Sequence, residues 1–75
     1  MDTIEQQIVQ ALQDELGRGV TPADSLDRLG IDSLRMAELA SGLERRFGIR
    51  MDEELLDVDT VAALAVYVRQ RMPDA

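Results

Sequence analysis

Apolar residues recur at three- and four-residue spacing through most of this chain. Ile4, Ile8, Ala11 and Leu12 make the first such stripe and predict an amphipathic helix over residues 2–16. Asp2, with Glu5 three residues later, matches a capping box at its start, and Gly17 stops it. Residues 18–32 read as a loop because turn formers crowd it: Gly19, Thr21-Pro22, Asp24, Ser25 and Gly30. Leu26 and Leu29 are expected to pin that loop to the core, and Thr21-Pro22 suits the opening of one short helical turn. A second helix is predicted from Ser33 to Phe47, with Asp32 or Ser33 as its cap and Gly48 beyond its end. A short third helix is expected over Asp52 to Asp57. The fourth, capped by Asp59 or Thr60, runs to about Met72 before Pro73 ends it. Its stripe is Val61, Leu64, Ala65, Val68 and Met72. The expected fold class is all-α: a four-helix bundle of three longer helices and one short one.

The second helix has one side chain out of place. At about 100° per residue, Met36, Leu39, Ala40, Leu43 and Phe47 share a sector roughly 100° wide, the core face. Leu34 lies almost opposite, beside Ala37, Glu38, Ser41, Gly42 and Arg45. A bulky apolar side chain thus faces solvent immediately after Ser33, flanked by small residues that let another protein approach closely. A lone exposed leucine is by itself ordinary.

Composition narrows the chemistry. The 75 residues make one domain, 1–75, whose core must be aliphatic because Tyr67 and Phe47 are the only aromatics. Such a chain has little room for an enclosed catalytic cavity. Eight basic residues, all arginine, against fifteen acidic ones give 8 − 15 = −7. That field disfavours nucleic acid and anionic membrane and favours basic partner surfaces. Histidine and cysteine are absent, which rules out a Ser-His-Asp triad, a thiol nucleophile, a disulfide and an ordinary zinc site. No apolar run approaches a membrane span and no leader pattern opens the chain. A cytoplasmic, monomeric, non-catalytic protein is expected. The start at Met1, at the mouth of a helix with no linker, suggests a free-standing protein.

Ser33 is the residue with available chemistry. A serine at a helix start is most often a cap. The same position, however, offers free amides and the positive end of the helix dipole to an anion on the serine oxygen. With no base to activate it, the hydroxyl is better placed to be modified by another enzyme than to act as a nucleophile.

The run Leu29-Gly30-Ile31-Asp32-Ser33-Leu34 resembles the attachment motif of acyl and peptidyl carrier proteins. The resemblance extends along the chain, through Thr3-Ile4-Glu5, Leu16-Gly17, Leu43-Glu44, Phe47-Gly48, Asp52-Glu53-Glu54, Thr60-Val61 and Tyr67-Val68. It implies a 4′-phosphopantetheine arm, derived from coenzyme A and attached to Ser33 by a Mg²⁺-dependent phosphopantetheinyl transferase. Asp32 and Leu34, flanking the serine, count with it as arm-site positions. The arm would carry acyl groups as thioesters between an acyl-loading enzyme and a ketosynthase or other acyl-processing enzymes. The resemblance also makes the second helix the docking surface, with Leu34, Arg35, Glu38, Ser41, Arg45 and, from the following loop, Met51. Asp24-Ser25-Leu26 is an internal control: it lacks the preceding Leu-Gly, and Gly30 interrupts any helix after it, so Ser25 is read as a turn residue.

The chain departs from fatty-acid carriers in charge. Arg35, Arg45 and Arg46 against Glu38 and Glu44 give the second helix 3 − 2 = +1, while acid gathers at Asp52, Glu53, Glu54, Asp57 and Asp59. This favours polyketide or other specialised-metabolite synthesis over primary fatty-acid synthesis. The loop before Ser33 is also shorter, so long acyl chains are expected to be held less well. A peptidyl carrier of a nonribosomal pathway is the nearest alternative; a helical interaction module without a prosthetic group is the alternative of another class. Asp57-Val58-Asp59 begins like a calcium loop, but Val61 and Ala62 stand where an acidic ligand and a glycine are needed.

Overall fold

Helix α1 spans Thr3–Leu16, α2 Ser33–Phe47 and α3 Val61–Arg71, with one 3₁₀ turn, Glu53–Asp57, between α2 and α3. The computed structural model describes residues 3–72; the expected cap at Asp2 and the stop at Pro73 lie outside them. Among the described residues there is no strand, only an isolated antiparallel bridge between Ser25 and Thr60. The expected short third helix is present as this one 3₁₀ turn. Five residues between the Asp52 cap and extended Val58 are too few to establish an i→i+4 ladder. Leu55 N donates to Asp52 O and Val58 N to Leu55 O, both at 3.1 Å and both three residues apart.

The core follows the predicted stripes. Ile8 and Leu12 of α1, Met36, Leu39 and Leu43 of α2, and Val61, Leu64, Ala65 and Val68 of α3 are buried. Ile4, Ala11, Ala40, Phe47 and Met72 pack partly against them. Tyr67 is also buried, so α3 presents a wider face than its aliphatic stripe suggested. Val20, Leu26, Leu29, Ile31, Ile49 and Leu55, outside the three α-helices, complete the cluster.

The long loop is held at both levels. Leu26 and Leu29 are buried, as expected. Its carbonyls satisfy amides that the start of α3 would otherwise leave bare: Val61 N donates to Asp24 O at 3.0 Å and Ala62 N to Pro22 O at 2.9 Å. Ala63 N donates to Thr60 Oγ1 at 3.1 Å, which makes Thr60 the cap rather than Asp59. Thr21-Pro22 opens a hydrogen-bonded turn and no helix, with Asp24 N donating to Thr21 O at 3.1 Å. These bonds fix the segment that leads into Ser33.

Candidate functional site

The site is built around the first turn of α2. Gly30, at φ 80°, turns the chain in a left-handed conformation that side chains rarely adopt. Ile31 then buries itself and Asp32 becomes the cap. The Asp32 carboxylate accepts Arg35 N at 2.9 Å, and Asp32 O accepts Met36 N at 2.8 Å. Asp32 therefore does the work a capping serine would do. Ser33 is exposed, and its hydroxyl makes no hydrogen bond among the described residues. The amides of Ser33 and Leu34 are likewise unspent there. The start of α3 differs, because loop carbonyls and Thr60 cover its amides.

Beside Ser33 lies an open cleft of about 360 Å³. Its walls come from the loop (Ser25, Asp27), the start of α2 (Ile31, Met36) and the end of the 3₁₀ turn (Leu56, Val58). Asp27, Asp32 and Asp59 also line it, and no cation does. Ser25 thus faces the same cleft as Ser33 but in a different state: it is half-buried, its backbone is tied into the bridge with Thr60, and its hydroxyl accepts Arg28 N at 3.4 Å.

Leu34 is 70% exposed. Glu38, Ser41 and Arg45 follow it at intervals of four, three and four residues and are exposed as well, so the four form one outward stripe about 16 Å long. Arg35 is exposed but sits roughly a quarter-turn round the helix towards α1. Met51 is half-buried and packs on the core, with its amide donating to Glu44 Oε2 at 2.7 Å. Leu56, 69% exposed at the rim of the cleft, escaped the sequence reading. The signal was available: adjacent Leu55 and Leu56 in one tight turn cannot both face the core.

The geometry describes an exposed helix-start hydroxyl, free of intramolecular bonds, with two open amides beside it. That arrangement suits a phosphodiester on the serine oxygen. A family model described as a phosphopantetheine attachment site matches residues 6–68. The chain is 30% identical, over 84% of its length and 83% of the relative's, to the anthracycline acyl carrier protein of Streptomyces peucetius. It is 29% identical, over 93% of its length and 87% of the relative's, to an acyl carrier protein of Rickettsia bellii.

The chain belongs to the acyl carrier protein family.

It is a carrier and not an enzyme, and its cofactor is covalently attached 4′-phosphopantetheine. A Thermotoga maritima acyl carrier protein of known crystal structure matches the fold with a TM-score of 0.75 at 19% identity, covering 92% of this chain and 91% of that one. No helix among the described residues of the carrier is long and apolar enough to cross a membrane.

Proposed function

We propose that residues 1–75 form one carrier domain, that Ser33 Oγ holds the phosphopantetheine arm, and that the carrier serves polyketide or related specialised-metabolite synthesis. The observation that carries the first part is the unspent Ser33 hydroxyl. Asp32 caps α2, so esterifying Ser33 breaks no bond that the fold uses. When bound, the arm supplies a terminal thiol that holds acyl groups as thioesters. The chain's own part is positioning: tethering raises the effective concentration of cargo at whichever active site has docked.

Docking falls to the Leu34–Glu38–Ser41–Arg45 stripe, with Arg35 at its flank and Leu56 across the cleft. A phosphopantetheinyl transferase, an acyl-loading enzyme and a ketosynthase or other acyl-processing enzyme would use this face in turn. What supports the specialised pathway is charge. Arg35, Arg45 and Arg46 are exposed and make no ion pair among the described residues, while Glu44 is occupied by the Met51 amide. The similarity to the anthracycline carrier agrees with this but is about equal to that to the Rickettsia protein, so the weight rests on α2.

The test is loading. The arm-bearing carrier is offered malonyl-coenzyme A with a malonyl transferase and, separately, amino acids and ATP with an adenylating enzyme. Intact mass should show malonyl adducts. Aminoacyl adducts alone would make it a peptidyl carrier.

A further inference from the structure

The two ends of the 3₁₀ turn are fastened by different means. At its C-terminal end the hold is backbone: Leu26 N donates to Asp59 O at 2.9 Å and Val61 N to Asp24 O at 3.0 Å. At its N-terminal end the hold is side-chain. The Tyr67 phenol donates to Asp52 Oδ1 at 2.8 Å and accepts the Asp52 amide at 2.9 Å. Arg71 Nη2 reaches Asp52 Oδ1 and Oδ2 at 3.2 and 3.1 Å, and Glu54 Oε2 at 3.0 Å. Its guanidinium also lies 3.6 Å over the Tyr67 ring. One arginine of α3 thus grips the turn's cap, Asp52, and Glu54 within the turn while stacked on Tyr67 of its own helix.

The gripped turn is also a wall of the cleft beside Ser33, through Leu56 and Val58. Its one buried anchor is Leu55.

We propose that Arg71, acting through Asp52, Glu54 and Tyr67, is a positioning residue for the cleft beside Ser33. It clamps the N-terminal end of the 3₁₀ turn to α3, and its release lets the turn swing about residues 58–60 and widen the cleft. The clamp is made of charges at the surface. The Asp52 and Glu54 side chains are 56% and 73% exposed against 19% for Arg71. Salt, or a competing cation on a docked protein, therefore weakens it, whereas the packing of Leu55 does not respond to either. The link to cargo rests on Ser33 as the arm site; the clamp itself is tested on the unmodified chain, so the two fail separately.

The experiment is residue-resolved amide hydrogen exchange with methyl relaxation dispersion on the full-length, unmodified protein. Arg71→Gln should speed exchange of the Leu55 and Val58 amides about tenfold and introduce millisecond exchange at the Leu56 and Val58 methyls. The Ile8, Leu12 and Leu64 amides should stay within roughly twofold of wild type, since local opening leaves the core closed. Arg71→Lys, which keeps the charge but loses the planar fork, should fall between. Wild type in about 1 M sodium chloride should show the same local pattern; that series carries the test should Arg71→Gln not fold. Acceleration spread evenly over the core, or no change at Leu55 and Val58 in both variants and salt, overturns the proposal.

Discussion

The Asp32 carboxylate accepts the amide of Arg35 at 2.9 Å, closing the first turn of α2 across Ser33 without using the serine. Stability and modification are thereby assigned to neighbouring residues. Removing the Asp32 cap should cost about 1 kcal/mol, lowering the melting temperature by roughly 4–8 °C in a domain of this size. Asp32→Asn retains an acceptor and should lose far less. Ser33→Ala should change stability by less than about 0.5 kcal/mol. Thermal unfolding of the three variants checks the assignment; a Ser33→Ala loss equal to that of Asp32→Ala would make the serine the cap.

Leu34 is 70% exposed, so its apolar surface contributes little to folding. Leu34→Ala should leave the unfolding midpoint near wild type, within about 0.5 kcal/mol. If the stripe docks partners, kcat/KM for acyl transfer from the loaded carrier should fall about tenfold, as for truncation of a central interface side chain. Equal transfer rates would remove Leu34 from the docking face.

The helices were legible because their stripes and stops agree. In α2, Met36, Leu39 and Leu43 point inward, Gly48 takes the left-handed conformation at φ 65°, and Leu34 faces out as its angle required. The exposed serine at the start of α2 and the outward leucine beside it were legible through the motif and the helix angle. The cap was ambiguous, since Asp32 and Ser33 are both good caps and only the hydrogen bond to Arg35 N chooses between them. The short third helix was legible in place but not in type: it is a 3₁₀ helix over Glu53–Asp57, and periodicity over five residues cannot separate α from 3₁₀. Tyr67 was missed because its ring packs inward while its hydroxyl reaches Asp52 across the molecule, a pairing fifteen residues apart that no local pattern signals. The bond from the Met51 amide to the Glu44 carboxylate, seven residues back, is likewise one that no local pattern signals.

Gly42 within α2 and Gly48 just past its end should respond in opposite directions. Gly48 sits at φ 65°, where a side chain costs roughly 1–2 kcal/mol. Gly42 lies mid-helix, and a Cβ built there meets nothing within 4 Å. Gly48→Ala should destabilise by about 1 kcal/mol and Gly42→Ala should stabilise by about 0.5–1 kcal/mol. Denaturant midpoints at constant slope measure both.

The Asp52–Tyr67 pair makes stability depend on pH at both the acid and the alkaline end. The Tyr67 phenol, and after it Arg71, hold the Asp52 carboxyl below the ordinary carboxylate range. A depressed folded value gives stability that is present above the unfolded value, about 4, and lost as pH falls through the folded one. The gap between wild type and Asp52→Asn should therefore narrow on acidification below about pH 4. Burial pushes the Tyr67 phenol up. Its contribution is present below the unfolded value, about 10, and lost as pH rises through the folded one. Tyr67→Phe should flatten the alkaline limb. Urea titrations across pH measure both limbs.

Intact mass with peptide mapping tests the central claim most directly, after incubation with coenzyme A, Mg²⁺ and a broad-specificity phosphopantetheinyl transferase. Wild type should gain one phosphopantetheine, mapped to the peptide bearing Ser33, and Ser33→Ala should gain none. An unchanged mass, or an adduct mapped to Ser25, would contradict the account.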